Sequence, residues 1–111
     1  ARVPDFALGS HVAPLGLTFA GGQARGDAFS GGAFVGLHGS WNRKPLSGYK
    51  VVFVPFRDGR PVGSMTDVLT GFVDAQGDAR GRPVGVATAP AGALLVADDV
   101  GNTVWRVGAA R

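Results

Sequence analysis

One short segment of this chain concentrates side chains that can do chemistry. It brings together a titratable imidazole, a hydroxyl, an indole, an amide and two cations, from His38, Ser40, Trp41, Asn42, Arg43 and Lys44. The apolar stretch directly before it, residues 32–37, predicts a strand that ends where these polar residues begin. Because loops carried by rigid strands commonly hold binding residues, this segment is the first candidate for a functional site.

A second group of polar side chains lies in the last third of the chain. It comprises Arg80, Arg82, Asp98, Asp99 and Asn102. Each of its two arginines, like Arg43, can hold a carboxylate through a planar fork, which lysine cannot do. Three guanidinium groups beside an indole would suit a flat, polyanionic, aromatic ligand. The two aspartates can orient the guanidinium groups, contact a hydroxylated substrate, or close a loop by accepting from backbone amides.

The two histidines of the chain and Trp41 leave alternatives open. His38 ends a strand, where a structural hydrogen bond and direct ligand contact are both possible, and His11 is expected to be structural. Trp41 either stacks on a ligand ring or caps the core at a strand end. The two histidines and the adjacent pair Asp98 and Asp99 lack ligand spacing, so no metal site is expected from this chain alone.

The composition limits the class of protein. The 111 residues include 19 glycines and 7 prolines, which favours tight turns and short strands over helices. The net charge of +3 comes without a run of basic and aromatic residues, so nucleic acid is not an expected partner. There is no cysteine for a disulfide, and no apolar run is long enough to span a membrane. The chain opens without a methionine, and we read it as a piece of a longer protein.

The pattern predicts four strands and then a repetition of the first three. The strands are expected at 14–20, 32–37, 49–56 and, more weakly, 66–73, with a turn at 57–61. Pro83-Val-Gly-Val86 then echoes Pro14-Leu-Gly-Leu17. The segments 92–97 and 101–107 echo 32–37 and 48–54 in the same order. An ordered repeat of short antiparallel strands is typical of β-propeller blades.

The predicted fold is therefore all-β, with about two four-stranded antiparallel blades of a propeller. The whole chain, 1–111, would be a partial propeller domain, with one complete blade at 14–73. Residues 82–111 would start the last blade and lack its fourth strand. Two blades cannot close a ring, so the expected partners are the remainder of its own propeller or other copies of itself. In such blades the loop into the first strand and the second–third loop share one face, which would gather the polar residues at one end.

Four motifs resemble the glucose/sorbosone dehydrogenase family. They are His-Gly-Ser-Trp-Asn-Arg (38–43), Gly-Tyr-Lys-Val-Val-Phe-Val-Pro-Phe (48–56), Arg-Gly-Arg-Pro-Val-Gly-Val-Ala (80–87) and Leu-Leu-Val-Ala-Asp-Asp-Val-Gly-Asn-Thr-Val-Trp-Arg-Val (94–107). The resemblance extends from Pro4 onward. It implies the C-terminal end of a six-bladed propeller quinoprotein that uses pyrroloquinoline quinone (PQQ), a planar tricarboxylate.

The resemblance also implies roles for individual residues. Arg80 and Arg82 match a cofactor-contacting Arg-x-Arg pair, and Arg43 matches a basic residue that reaches PQQ. The substrate side of the funnel rim would include His38, Trp41, Asp98, Asp99 and Asn102. The catalytic base and the ligands of the cofactor's Ca²⁺ are expected upstream of this chain. Neither histidine present here is assigned as that base.

Two functions follow as hypotheses. In the first, the chain is the C-terminal segment of a PQQ-dependent aldose or aldehyde dehydrogenase, inactive alone, with a sugar substrate and an electron acceptor as partners. The family implies a periplasmic or secreted location. In the second, the chain is a non-catalytic module that self-assembles into a ring and binds anions or glycans. Continuation of the parent chain upstream would favour the enzyme.

Overall fold

The computed structural model describes residues 6–9, 12–20, 31–40, 46–89 and 93–108, and these residues form an all-β structure. The strands are β1 (Pro14–Phe19), β2 (Gly32–Leu37), β3 (Lys50–Arg57), β4 (Arg60–Pro61), β5 (Thr66–Leu69), β6 (Pro83–Thr88), β7 (Leu94–Asp98) and β8 (Thr103–Val107). Every pairing between them is antiparallel. The expected all-β class with antiparallel sheets is confirmed. None of the described residues forms a helix long and apolar enough to cross a membrane.

The first sheet contains β1 to β5. Its order is β1-β2-β3, and β3 pairs on its far side with both β4 and β5. Every residue of β2 is buried, because this strand lies inside the sheet and both faces of the sheet are covered there. That environment explains why residues 32–37 read as an unbroken small and apolar run rather than an alternating one.

The β3–β4 hairpin is a feature that the sequence prediction missed in part. The turn at 57–61 was expected, but Arg60 and Pro61 also pair with the end of β3. Asp58 and Gly59 form the two-residue loop, with φ of 53° and 77°. Positive φ at both central residues marks the type I′ turn, for which Asp-Gly is a favoured pair.

Two predicted strand boundaries were wrong. The strand expected at 66–73 ends at Leu69, and Gly71 has a φ of 94°, which a strand cannot accommodate. The strand expected at 101–107 begins at Thr103, because the two residues before it form a turn in which Asn102 has a φ of 52°. The division into a blade at 14–73 and a partial blade from 82 stays a prediction.

The second sheet contains β6, β7 and β8 in that order. It packs on the first sheet through an apolar cluster in which Phe34, Val51 and Phe53 meet Leu94 and Val96. The strands β1 and β6 run close together at this contact, where Thr18 Oγ1 lies 3.1 Å from Thr88 Oγ1. The two sheets therefore form one packed unit, and the ends of their strands meet at its edge.

The opposite face of the first sheet carries a second cluster. Its buried members are Val12, Val35, Leu37, Val52 and Val54, with Phe6 and Leu8 of the N-terminal segment packed against them. On β1, by contrast, three large apolar side chains stay exposed: Leu15, Leu17 and Phe19. The first sheet is thus apolar on both faces.

Candidate functional site

Most of the described candidate residues meet where the two sheets join. We call this place the sheet junction and define it as His38–Ser40 after β2, Gly81–Arg82 before β6, and Asp98–Asp99 at the end of β7. The antiparallel register brings these segments together, because Pro83 at the start of β6 lies opposite Asp98. The predicted gathering of polar residues at one end is therefore observed for His38, Arg82, Asp98 and Asp99.

The guanidinium of Arg82 is directed at the main chain of the other sheet. Its Nε donates to the carbonyl of His38 at 2.9 Å, and its Nη2 donates to the carbonyl of Gly39 at 2.6 Å. The carbonyl of Ser40 lies 3.5 Å from the same Nη2. The guanidinium carbon also lies 4.9 Å from the centre of the Tyr49 ring, within the range of a cation–π contact. Arg82 thus donates two N–H groups of its guanidinium to the carbonyls of consecutive residues.

The residues on either side of segment 41–45 are hydrogen-bonded to each other. The amide of Ser40 donates to the carbonyl of Ser47 at 2.9 Å, and the amide of Ser47 donates to Ser40 Oγ at 2.9 Å. The hydroxyl of Tyr49 donates to the carbonyl of Ser40. Ser40 is accordingly only 3% exposed. These bonds fix where the loop leaves and rejoins the sheet.

Gly39 is required by this arrangement for two reasons. Its φ is 100°, a conformation that side-chain-bearing residues rarely adopt. A Cβ atom at this position would also overlap the ring of Tyr49. Arg82 therefore donates to the carbonyl of a position, Gly39, at which residues other than glycine are disfavoured.

Asp98 is a buried acceptor at the centre of the junction, with 4% exposure. Its Oδ1 accepts from the amides of Arg82 (2.8 Å), Gly101 (2.8 Å) and Val100 (3.2 Å), and its Oδ2 accepts from Trp105 Nε1 (3.3 Å). Burial by itself would raise the pKa of this carboxyl, but the hydrogen bonds outweigh it and leave the pKa below its ordinary value. Of the roles open to the aspartates, Asp98 has the loop-closing one.

Asp99 connects the two sheets through a histidine. Both carboxylate oxygens of Asp99 lie 3.1 Å from Nε2 of His38. The histidine side chain is 18% exposed and the aspartate side chain 56%, so the pair sits at the solvent boundary. A structural hydrogen bond, one of the two possibilities for His38, is thus present. Asn102 lies exposed in the turn that follows the two aspartates.

Arg80 differs from Arg82 although one residue separates them. Its amide is tied down by the carbonyl of Phe72 at 2.6 Å, but its side chain is exposed and makes no hydrogen bond or ion pair with any described residue. It borders a cavity of about 200 Å³. The other lining residues are Leu69, Thr70, Gly71, Phe72, Asp98 and Trp105.

Trp105 is a site residue that the sequence reasoning missed. Its indole donates to Asp98, and its ring meets Phe72 edge-on with centres 6.5 Å apart. No role was assigned to it from the sequence, and only the register of β7 against β8, which sets Val96 opposite Trp105, brings it near Asp98. His11, Trp41, Arg43 and Lys44 lie outside the described residues. Within the described part of the chain, no three side chains of metal-binding type cluster.

Comparison with known proteins identifies the family. The model of the TrAA12-like family matches residues 1–110, so the chain belongs to this family. A relative from Coprinopsis cinerea, a pyrroloquinoline quinone-dependent pyranose dehydrogenase, is 46% identical over 52 residues, which are 47% of this chain and 6% of the relative.

Two solved structures are also similar. The holo form of the pyranose dehydrogenase PQQ domain from Coprinopsis cinerea has a TM-score of 0.71 at 32% identity, over 88% of this chain and 27% of that one. A Trichoderma reesei structure of carbohydrate-active enzymes family AA12 has a TM-score of 0.67 at 26% identity, over 86% of this chain and 24% of that one. The chain thus spans about a quarter of these structures. Both Coprinopsis cinerea proteins are named as pyranose dehydrogenases, so the narrower glucose/sorbosone assignment stays a prediction.

Proposed function

We propose that this chain is the C-terminal part of a PQQ-dependent dehydrogenase that oxidises a sugar, and that its junction end forms part of the cofactor site. The observation that carries the proposal is the Arg80 guanidinium, which pairs with no described residue, at the polar end of a chain whose relatives include a holo PQQ domain. Membership of the TrAA12-like family over residues 1–110 supports the same conclusion. Pyranoses are the substrate class that the relatives' names favour.

The described residues fit a planar tricarboxylate. An exposed guanidinium without an acidic partner can meet a carboxylate through two parallel hydrogen bonds. Arg80 has no such partner among the described residues, and it also borders a cavity. Arg43 remains a predicted second contact, and Arg82 belongs to the same end with its fork on carbonyls. When bound, PQQ would accept the hydride from the sugar, while this part of the protein would orient the cofactor and balance its charge.

The remaining parts of the proposal rest on the resemblance. The two packed sheets would be the last two blades of a six-bladed propeller. The catalytic base and the Ca²⁺ ligands would come from upstream segments, and an electron acceptor would reoxidise the cofactor. His38, Trp41, Asp99 and Asn102 would lie on the funnel rim. A periplasmic or secreted location belongs to the same proposal.

The test uses the intact protein that contains this chain. After addition of PQQ and Ca²⁺, we expect retained quinone absorbance and reduction of a dye by an aldopyranose. Replacement of Arg80 by methionine should weaken PQQ binding by about 10- to 100-fold, the value of about one charge-assisted hydrogen bond. Arg57→Met is the matched control, because Arg57 is exposed at the end of β3 that lies away from the sheet junction.

Two outcomes would overturn the proposal. If the intact protein retains no quinone, the dehydrogenase function fails, and assembly of 11.3 kDa chains into a discrete ring would support the non-catalytic module instead. If Arg80→Met and Arg57→Met bind PQQ equally well, the assignment of Arg80 to the cofactor fails.

A further inference from the structure

We propose that Arg82 is a positioning residue, which fixes the end of β2 against the second sheet, and that Arg80 alone of this pair meets the ligand directly. The effect on the ligand rests on the proposed function. The mechanical part does not, because it concerns contacts within the chain. Arg82 would thus hold the site in place, and Arg80 would contact the ligand.

The first observation is the direction of the Arg82 side chain. Its two donors reach the carbonyls of consecutive residues, His38 and Gly39, which lie 44 and 43 positions earlier in the sequence. Two parallel bonds at fixed spacing require the planar guanidinium, and the point charge of lysine cannot reproduce them. To bind a carboxylate through the same fork, Arg82 would have to release carbonyls that it already satisfies.

The second observation is that the main chain of Arg82 is held as firmly as its side chain. Its amide donates to Oδ1 of Asp98 at 2.8 Å, and its carbonyl accepts from the amide of Asp99 at 3.3 Å. A continuous set of bonds therefore runs from the end of β7, through Arg82, to the end of β2. A residue anchored on both sides can transmit the position of one sheet to the other.

The third observation is where these bonds lead. The carbonyls held by Arg82 lie at one end of the loop after β2, and Ser40 closes that end on Ser47. The ring of Tyr49 lies under the guanidinium and its hydroxyl donates to the Ser40 carbonyl, so the same few groups fix both loop ends. Without Arg82, the ends of this loop would no longer be fixed against the second sheet, whereas Asp99 would still hold the His38 imidazole.

Arg80 provides the contrast that makes the division testable. Its exposed side chain contacts no described residue through a hydrogen bond or an ion pair. Removing it should leave the fold unchanged and remove one positive charge from the ligand's surroundings. Removing Arg82 should disturb the fold locally and affect the ligand only through displaced groups.

The experiment compares Arg82→Met, Arg82→Lys and Arg80→Met with the wild type in the intact protein. Hydrogen exchange of the peptide covering 38–49 is measured without cofactor, and PQQ affinity is measured at several salt concentrations. We expect both Arg82 variants to speed exchange and to weaken PQQ binding by about tenfold or more, as misplacement of binding groups does. The salt dependence of their binding should match that of the wild type, since the charges that face the ligand are unchanged.

Arg80→Met should show wild-type exchange, weaker binding and a shallower salt dependence. The inference is refuted if Arg82→Lys keeps both the wild-type exchange rate and the wild-type affinity, because Arg82 would then act only through its positive charge. It is also refuted if Arg82→Met binds PQQ like the wild type, which would make Arg82 purely structural, or if its salt dependence falls as that of Arg80→Met does. If the wild type binds no quinone, the proposed function fails, whereas the exchange data still decide whether Arg82 holds the loop.

Discussion

Replacement of Asp98 by alanine should lower the free energy of unfolding by about 3–5 kcal/mol. Four donors would lose their acceptor: the amides of Arg82, Val100 and Gly101 and the indole of Trp105. A buried donor left unsatisfied costs about 1–3 kcal/mol. Val100 and Gly101 are exposed and can turn to water, so the total stays below four full penalties.

The isosteric change Asp98→Asn separates charge from shape. Its carbonyl oxygen can still accept from the three amides, but its NH₂ group would face the indole N–H of Trp105. We expect a loss of about 1–3 kcal/mol near neutral pH. The pKa of Asp98 lies below its ordinary value of 3.8, so the ionised carboxyl stabilises the fold above that pH. This contribution disappears as the pH falls through the lowered pKa, and the gap between wild type and Asp98→Asn should close with it.

Denaturant unfolding of the intact protein, at neutral pH and again at about pH 3, measures both effects. Asp78→Asn serves as the control, because its exposed side chain makes no hydrogen bond or ion pair with the described residues, and it should change stability by no more than about 0.5 kcal/mol. The reasoning fails if Asp98→Asn is as stable as Asp78→Asn at neutral pH. It also fails if the gap persists undiminished in acid.

Two further changes test the packing of the junction and of the core. Gly39→Ala should be clearly more destabilising than Gly77→Ala, because both positions have positive φ but only Gly39 has the Tyr49 ring in the way of a Cβ atom; equal unfolding midpoints would contradict this. Phe34→Ala should cost about 3–5 kcal/mol, since this ring is fully buried between the sheets, and Phe34→Leu should cost less. Thermal unfolding that ranks the two Phe34 variants the other way would refute the assigned packing.

The strands were predictable because their signals are local. A short apolar run placed β2, and a run of β-branched and aromatic residues placed β3, within one residue of their observed limits. The boundaries that moved lie where a turn requires positive φ, at Gly71 and Asn102. Propensity places a strand more reliably than it places the strand's end, because the end depends on the next turn.

The contacts of the site could be predicted only in part. The gathering of polar residues at one end follows from strand order alone, so it was foreseen. The partners of Arg82 depend on how the two sheets are set against each other, which no local pattern encodes. The indole of Trp105 reaches Asp98 for a similar reason, since the register of β7 against β8 decides it. A long side chain finds its partner through tertiary packing, and its residue type only restricts the choice.

The internal repeat encodes packing more than it encodes chemistry. The glycine shared by Pro14-Leu-Gly-Leu17 and Pro83-Val-Gly-Val86 lets β1 approach β6, since a Cβ atom at Gly16 would overlap the Val84 carbonyl. In the second copy the same glycine, Gly85, would have nothing within 4 Å of an added Cβ. In the strand register, Leu37 and Asp98 hold the same place, each opposite the proline that starts the preceding strand, yet one is apolar and the other an aspartate. The shared glycine therefore brings the sheets together in the first copy only, and the aspartate that replaces an apolar residue in the second copy lies at the sheet junction.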